Sequence, residues 1–290
     1  MPGGKPATPD SGPSRTVTRT DLVAGFTDVG LGTGDIVLAH ASLSSLGFVL
    51  GGAVAAVEAL LHTVGAEGTV AVPAFTAGNS DPSRWARTRG RGIPPGEWPL
   101  ARERLPPFNQ RGTPSENMGA IAETVRTWPG SVRSAHPQTS FAAVGREAAF
   151  LMDEHPLHCH LGPGTPLARL VDLKAKVLLL GVPYKVCTAF HLGEYQQLVP
   201  PMRDYECVIH DQGVRRWLHY RDVLLDDGDF ERLGKAMEAS AGIDVRRTKV
   251  GTAVLRVVPI GMCVDFARTW IATHRHRHSS GGAVDEFCHR

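Results

Sequence analysis

His191 and Glu194 stand three positions apart in TAFHLGEYQQL, residues 188–198, directly after the apolar run KVLLLGVP. On a helix, residues at that spacing share one face. A carboxylate beside an imidazole fixes its tautomer and raises its basicity, which is the arrangement of an oriented general base. The same spacing also suits a plain ion pair or a satisfied core histidine, and the pair alone does not choose.

Other stretches carry their own chemistry. DEHPLHCH, residues 153–160, sets His155, His158 and His160 beside Asp153 and Glu154. Those spacings can bind zinc and would suit a metal-dependent hydrolase, although no HExxH is present. HASLSSLG, residues 40–47, offers hydroxyls and backbone N–H groups in a small-residue turn. Such a turn can hold phosphate or thread a pantetheine arm, or simply cap its own backbone. RSAHPQTS, residues 133–140, contains a guanidinium, Arg133, that could meet a phosphate bidentately; the alternative is a turn set by Pro137. RDVLLDDGDFE gathers Asp222, Asp226, Asp227, Asp229 and Glu231. A cationic ligand would be steered by that field, or the acids serve the following helix, with Asp229 the best N-cap. No Walker A sequence occurs, and GLGTGD (30–35) precedes a strand, so neither common nucleotide fold is supported.

The elements that must position these groups alternate. DIVLA (35–39), TVAVPAF (69–75), SFAAVG (140–145) and KVLLLGV (176–182) read as strands. DLVAGFTDVG, AVAAVEALLHTVG, NMGAIAETVRTW and REAAFLMDEH read as helices between them. YECVIH and RRWLHY look like a hairpin pair, followed by a strand at KVGTAVLRVV between the helices DFERLGKAMEAS and VDFARTWIATH. The class is α/β (α+β): a mostly parallel central sheet flanked by helices, with an added antiparallel hairpin region. Ligands of such sheets bind outside the carboxyl ends of the strands. DIVLA, TVAVPA and KVLLLG each run straight into small, polar or ionisable residues there. Residues 18–275 read as one domain with a long insertion at 77–116, between a Pro/Gly/Ser-rich tail (1–17) and a His-rich tail (276–290).

Composition bounds the partners. A 42% hydrophobic content over 290 residues supports a real core, and a net charge of +2 gives no global field for nucleic acid or anionic membrane. There is no run long and apolar enough to span a bilayer, and the start lacks a signal-peptide core. Five cysteines without close pairing fit a reducing cytoplasm.

Taken together, HASLSSLG, MGAIAETVRTWPGSVRSAHPQTSFAAVG, HCHLGPGTPLARL and KVLLLGVPYKVCTAFHLGEY resemble the aminoglycoside 3-N-acetyltransferase family, as do DDGDFERLG, KVGTAVLRVV and VDFARTWI. The resemblance runs over about residues 18–275 and implies the antibiotic N-acetyltransferase fold, not the GNAT fold. It implies a cytoplasmic enzyme that moves the acetyl group of acetyl-CoA to an amine of an aminoglycoside antibiotic, or of another amine in a biosynthetic pathway. No metal is expected, and a homodimer is compatible. His191 falls on the family's base and Glu194 on its acid. Glu123, of GAIAE, is carried over as a further active-site candidate, and Thr76 is the candidate oxyanion donor. His40, Ser42, Leu43, Ser44, Ser45, Arg133, Ser134 and His136 match the region that holds CoA, and Asp226 and Asp227 are the candidates for the cationic acceptor. Lys185 stands where a small or acidic residue would suit a polycation better.

Overall fold

Thr18 opens the first helix by a reciprocal cap: its hydroxyl accepts the Asp21 amide while the Asp21 carboxylate takes the Thr18 N–H. The structure, a computed structural model, describes residues 16–88 and 92–275. Most of the two expected tails, 1–15 and 276–290, lies outside that range. Val17, placed in the first tail by composition, is buried and bridges to Val49.

In chain order the elements are α1 (Arg19–Asp28), β1 (Ile36–Ala41), α2 (Gly52–Val64), β2 (Thr69–Pro73), the short α3 (Trp85–Thr88) and α4 (Trp98–Arg104), then α5 (Gly119–Arg126). There follow β3 (Val132–Arg133), β4 (Phe141–Gly145), α6 (Ala148–Met152), α7 (Pro166–Asp172), β5 (Lys176–Leu180) and α8 (His191–Tyr195). The last are β6 (Met202–Asp211), β7 (Val214–Val223), α9 (Phe230–Glu238), β8 (Arg246–Val250), β9 (Ala253–Pro259) and α10 (Ile260–His274). The helix α7 has no counterpart in the hydrophobic pattern. Its start signal is nonetheless present, since the Thr165 side chain caps it and Pro166 fills its first position.

Seven strands form one sheet in the order β3-β4-β2-β1-β5-β9-β8. The parallel part is its centre, β2-β1-β5. Both flanks are antiparallel, so the sheet as a whole is mixed. KVGTAVLRVV, expected as one strand, is the hairpin β8–β9. It reverses at Gly251, whose φ of 56° belongs to the left-handed region open to glycine. The central strands are apolar on both faces because both are covered. Along β1, Val37 and Ala39 enter a core with Phe26, Leu60 and Ile121, while Leu38 enters a second core with Leu167, Phe190 and Phe230.

The hairpin β6–β7 forms its own two-stranded sheet, paired along its whole length. It clamps the 77–116 excursion. The Asn79 amide brackets Val208, donating to its carbonyl at 2.9 Å and accepting its N–H at 2.7 Å. Phe108 N donates to Val208 O at 3.2 Å, and Arg215 Nε to Leu105 O at 3.0 Å. Cys159, Cys187, Cys207 and Cys263 are buried and unbridged. Among the described residues no helix is long and apolar enough to cross a membrane.

Candidate active site

β1, β2 and β5 end on one edge of the sheet, as three parallel neighbours must. The loops that leave β1 and β5 approach closely there. Gly181 has a φ of 62°, and a Cβ on it would overlap the Ser45 hydroxyl, so the strand can turn away only as glycine. Beside this contact opens a cavity of about 820 Å³. His40, Ser42, Leu43 and Ser44 line it from the β1 loop; Met118 and Gly119 line it at the start of α5; Lys185, Thr188 and His191 come from the β5 side, and Asp227 from the approach to α9.

His191 is the first residue of α8, a single turn, so Glu194 lies directly beneath it. His191 Nδ1–H donates to Glu194 Oε2 at 2.7 Å. That fixes the tautomer and leaves Nε2 with its lone pair. The ring is packed against Phe230, with centroids 4.7 Å apart. Glu194 is 3% exposed and fully engaged, its Oε1 accepting the Asp226 amide at 3.0 Å and Arg275 Nη1 at 2.5 Å. Arg275 also donates to both oxygens of Asp229, at 3.0 and 2.5 Å. Beside them, His40 is buried in the cavity wall and accepts the Thr188 N–H at 3.4 Å. Burial first, and the neighbouring His191 second, lower its pKa to about 3, so it stays neutral at physiological pH.

An imidazole held by a buried carboxylate on the lining of a cavity has the arrangement needed to take a proton from a nucleophile. The family model for aminoglycoside 3-N-acetyltransferases matches residues 38–272. The chain belongs to the aminoglycoside 3-N-acetyltransferase family. It is 36% identical to the SPbeta prophage-derived aminoglycoside N(3')-acetyltransferase-like protein YokD of Bacillus subtilis, over 87% of this chain and 92% of that one. The crystal structure of YokD superposes with a TM-score of 0.86, covering 91% and 96% of the two chains at 34% identity. Aminoglycoside N(3)-acetyltransferase IX of Micromonospora chalcea is 36% identical, over 88% and 93%. A structure of AAC-IIIb in binary complex with CoASH matches with a TM-score of 0.77 at 29% identity, covering 93% and 100%.

Not every residue carried over from the family pattern reaches the cavity. Ser45 turns inward and donates to Ser42 O at 2.7 Å. The Thr76 hydroxyl, the expected oxyanion donor, is buried and already given to Pro137 O at 2.7 Å. Glu123 binds Arg126 through both oxygens, at 2.8 and 2.6 Å, and accepts the Ser115 hydroxyl at 2.6 Å. Burial opposes its ionisation, but these Arg126 and Ser115 bonds outweigh it and hold the carboxyl at about 2, the state of a fastener rather than a base. Asp226 contributes its amide to Glu194 while its carboxylate caps Gly228 N at 3.0 Å; only Asp227 of the acidic pair lines the cavity. Asp229 is the N-cap of α9 by position, yet its side chain serves Arg275 and not the helix amides.

Arg133, Ser134 and His136 also lie off the cavity lining. Arg133 is buried with its donors spent on Ser140 Oγ (2.9 Å), Ala74 O (2.7 Å), Thr113 O (2.5 Å) and Gln110 O (3.3 Å). It ties the excursion to the sheet and has no free edge for a phosphate. Arg133→Ala should therefore lower the melting temperature and leave the KM for acetyl-CoA within about twofold, since buried charge-assisted bonds are what it removes. A KM raised many-fold in a variant of unchanged melting would return Arg133 to the CoA site. Ser134 accepts the Phe141 amide at 2.9 Å and meets His155 Nδ1 at 2.9 Å. His136 Nδ1 accepts the Gln138 and Thr139 amides, both at 3.1 Å.

His136, His155 and His160 form a buried aromatic and polar cluster beneath the β6–β7 hairpin. His160 Nδ1 meets Asp222 Oδ2 at 2.7 Å, Tyr195 donates to the same oxygen at 2.6 Å, and Tyr220 OH meets His160 Nε2 at 3.0 Å. Asp222 thus belongs to this network and not to an acceptor site. Burial chiefly drives the pKa values of all three imidazoles down, that of His155 to about 4. The zinc reading fails on geometry: His158 is exposed, His155 and His160 have their nitrogens engaged, and no metal-binding group forms among the described residues.

Proposed function

We propose that this protein transfers the acetyl group of acetyl-CoA to an amine of an aminoglycoside or related aminocyclitol, with His191 as the general base. The observation that carries the reading is the His191–Glu194 pair opening onto the cavity in a chain of this family. An ammonium cannot attack a thioester, so the acceptor must lose a proton first. His191 Nε2 takes it while Glu194 holds the ring and balances the imidazolium that forms. The amine nitrogen then bonds the acetyl carbonyl carbon and the C–S bond breaks with its electron pair going to sulfur; the second proton, lost from nitrogen as the amide forms, ends on the CoA thiol, and the first leaves His191 for solvent.

The serine turn after β1, with His40 and Leu43 beside it, is the natural cradle for the pantetheine arm. Ser42 and Ser44 place their hydroxyls 3.2 Å apart on its exposed side. Asp227, which lines the cavity together with His191, is the carboxylate available to an acceptor ammonium. The low net charge and the free cysteines fit a cytoplasmic enzyme.

The deciding experiment incubates the protein with acetyl-CoA and a panel of amines and follows free thiol. Thiol should appear in proportion to acetylated amine, and only when an acceptor is present. An aminoglycoside that binds without thiol release would make the protein a sequestering binder instead.

A further inference from the structure

We infer that Lys185 is a specificity-determining residue: it stands on the acceptor side of the cavity, disfavours highly charged polyamines and selects an acceptor carrying few ammonium groups. The inference rests on the acetyl-transfer reading above and narrows its acceptor.

Lys185 lines the cavity together with His191 and Asp227, and no other Lys or Arg does so among the described residues. It is held at the end of α9. Its amide donates to Glu231 Oε2 at 3.3 Å, in the first turn of that helix. Asp227 precedes the same helix, its backbone carbonyl accepting the Phe230 amide at 3.2 Å, and Phe230 in turn packs on the His191 ring. Lys185, Asp227 and His191 therefore line one cavity and are tied together through the start of α9.

The neighbouring carboxylates cannot offset Lys185. Glu231 is paired with Lys235 at 3.2 Å, and Glu194 and Asp229 are both paired with Arg275. The Lys185 ammonium itself forms no ion pair with a described residue. The lining of the cavity carries one carboxylate residue, Asp227, and one ammonium residue, Lys185. A pocket made for a polycation presents surplus negative charge along the approach. This lining is balanced instead, so it accommodates a first ammonium at Asp227 and repels the next. The repulsion acts through solvent and is screened by salt.

The test compares the wild type with Lys185→Met and Lys185→Glu. Lys185 is exposed, so neither change disturbs a core; a melting scan confirms the fold. The acceptors are the diamine 2-deoxystreptamine and a tetra-amine aminoglycoside, each at low and high ionic strength, with the KM for acetyl-CoA measured in parallel. In Lys185→Glu the ratio of kcat/KM for the tetra-amine to that for the diamine should rise by about tenfold at low salt. Lys185→Met should give a smaller rise, both effects should shrink at high salt, and the KM for acetyl-CoA should stay put. A ratio unchanged in both variants overturns the inference while leaving acetyl transfer intact. So does a raised KM for acetyl-CoA at constant ratio, which would make Lys185 a phosphate partner. Acetyl-CoA binding without thiol release to either amine in the wild type defeats the acetyl-transfer reading, and this inference with it.

Discussion

His191→Ala should lower kcat by a factor of about 10² to 10⁴ while acetyl-CoA still binds, the cost usual for loss of a general base. The expectation comes from the arrangement around the ring. Nδ1 is committed to Glu194 at 2.7 Å, the ring packs against Phe230, and His191 lines the cavity. No neighbour can take over. His40 is the other cavity imidazole, but its Nε2 already accepts a backbone N–H and its pKa lies near 3, too weak to pull a proton from an ammonium. The His191 side chain is 13% exposed and lies on the cavity wall, so the variant should fold. Raising the pH should restore part of the lost rate, because more of the amine is then free base without help. A variant that retains more than about a tenth of kcat removes His191 from that role.

The second large effect lies at Arg275, far from the motif. Arg275→Ala should destabilise the protein by about 3 kcal/mol or more, the cost of leaving a buried carboxylate without its partner. The melting temperature should then fall by roughly 6 to 12 °C. Glu194 is the carboxylate concerned, 3% exposed and 2.5 Å from Arg275 Nη1, with Asp229 on the other side of the same guanidinium. The pKa of Arg275 is raised: burial works against the charge, and the bonds to Asp229 and Glu194 more than offset it. Turnover should fall too, since Glu194 would lose one of the groups that hold it under His191. A double variant, Arg275→Ala with Glu194→Gln, separates the causes. It should melt higher than Arg275→Ala alone, because no buried charge is stranded, while remaining slow. Unchanged melting in Arg275→Ala would show that water already satisfies Glu194.

Much of the site was legible because it is local. The spacing of His191 and Glu194 needs only one helical turn, and the serine turn needs only a strand that ends in small residues. The three apolar strands that run into polar loops are parallel neighbours, which is the condition for their loops to share one edge. Candidate residues that the structure draws into the protein's own bonds share a different property: each is polar and could bond either a ligand or the protein. Arg133 had the right chemistry for a phosphate, but four protein oxygens reach it first. Thr76 lost its hydroxyl to Pro137, and Glu123 its carboxylate to Arg126 and Ser115.

The sequence by itself determined the alternation of the main helices and strands, the β6–β7 hairpin and the pairing of His191 with Glu194, because hydrophobic period and short spacing act within a few residues. The tertiary structure decided the rest. It made the sheet mixed by folding one expected strand into β8 and β9, and it drew Asp222 out of the acidic run into the histidine cluster. It also brought Arg275 to Glu194 across 81 positions of sequence. A long polar side chain takes whichever partner the packed chain sets within its reach, and no pattern along the sequence encodes that distance.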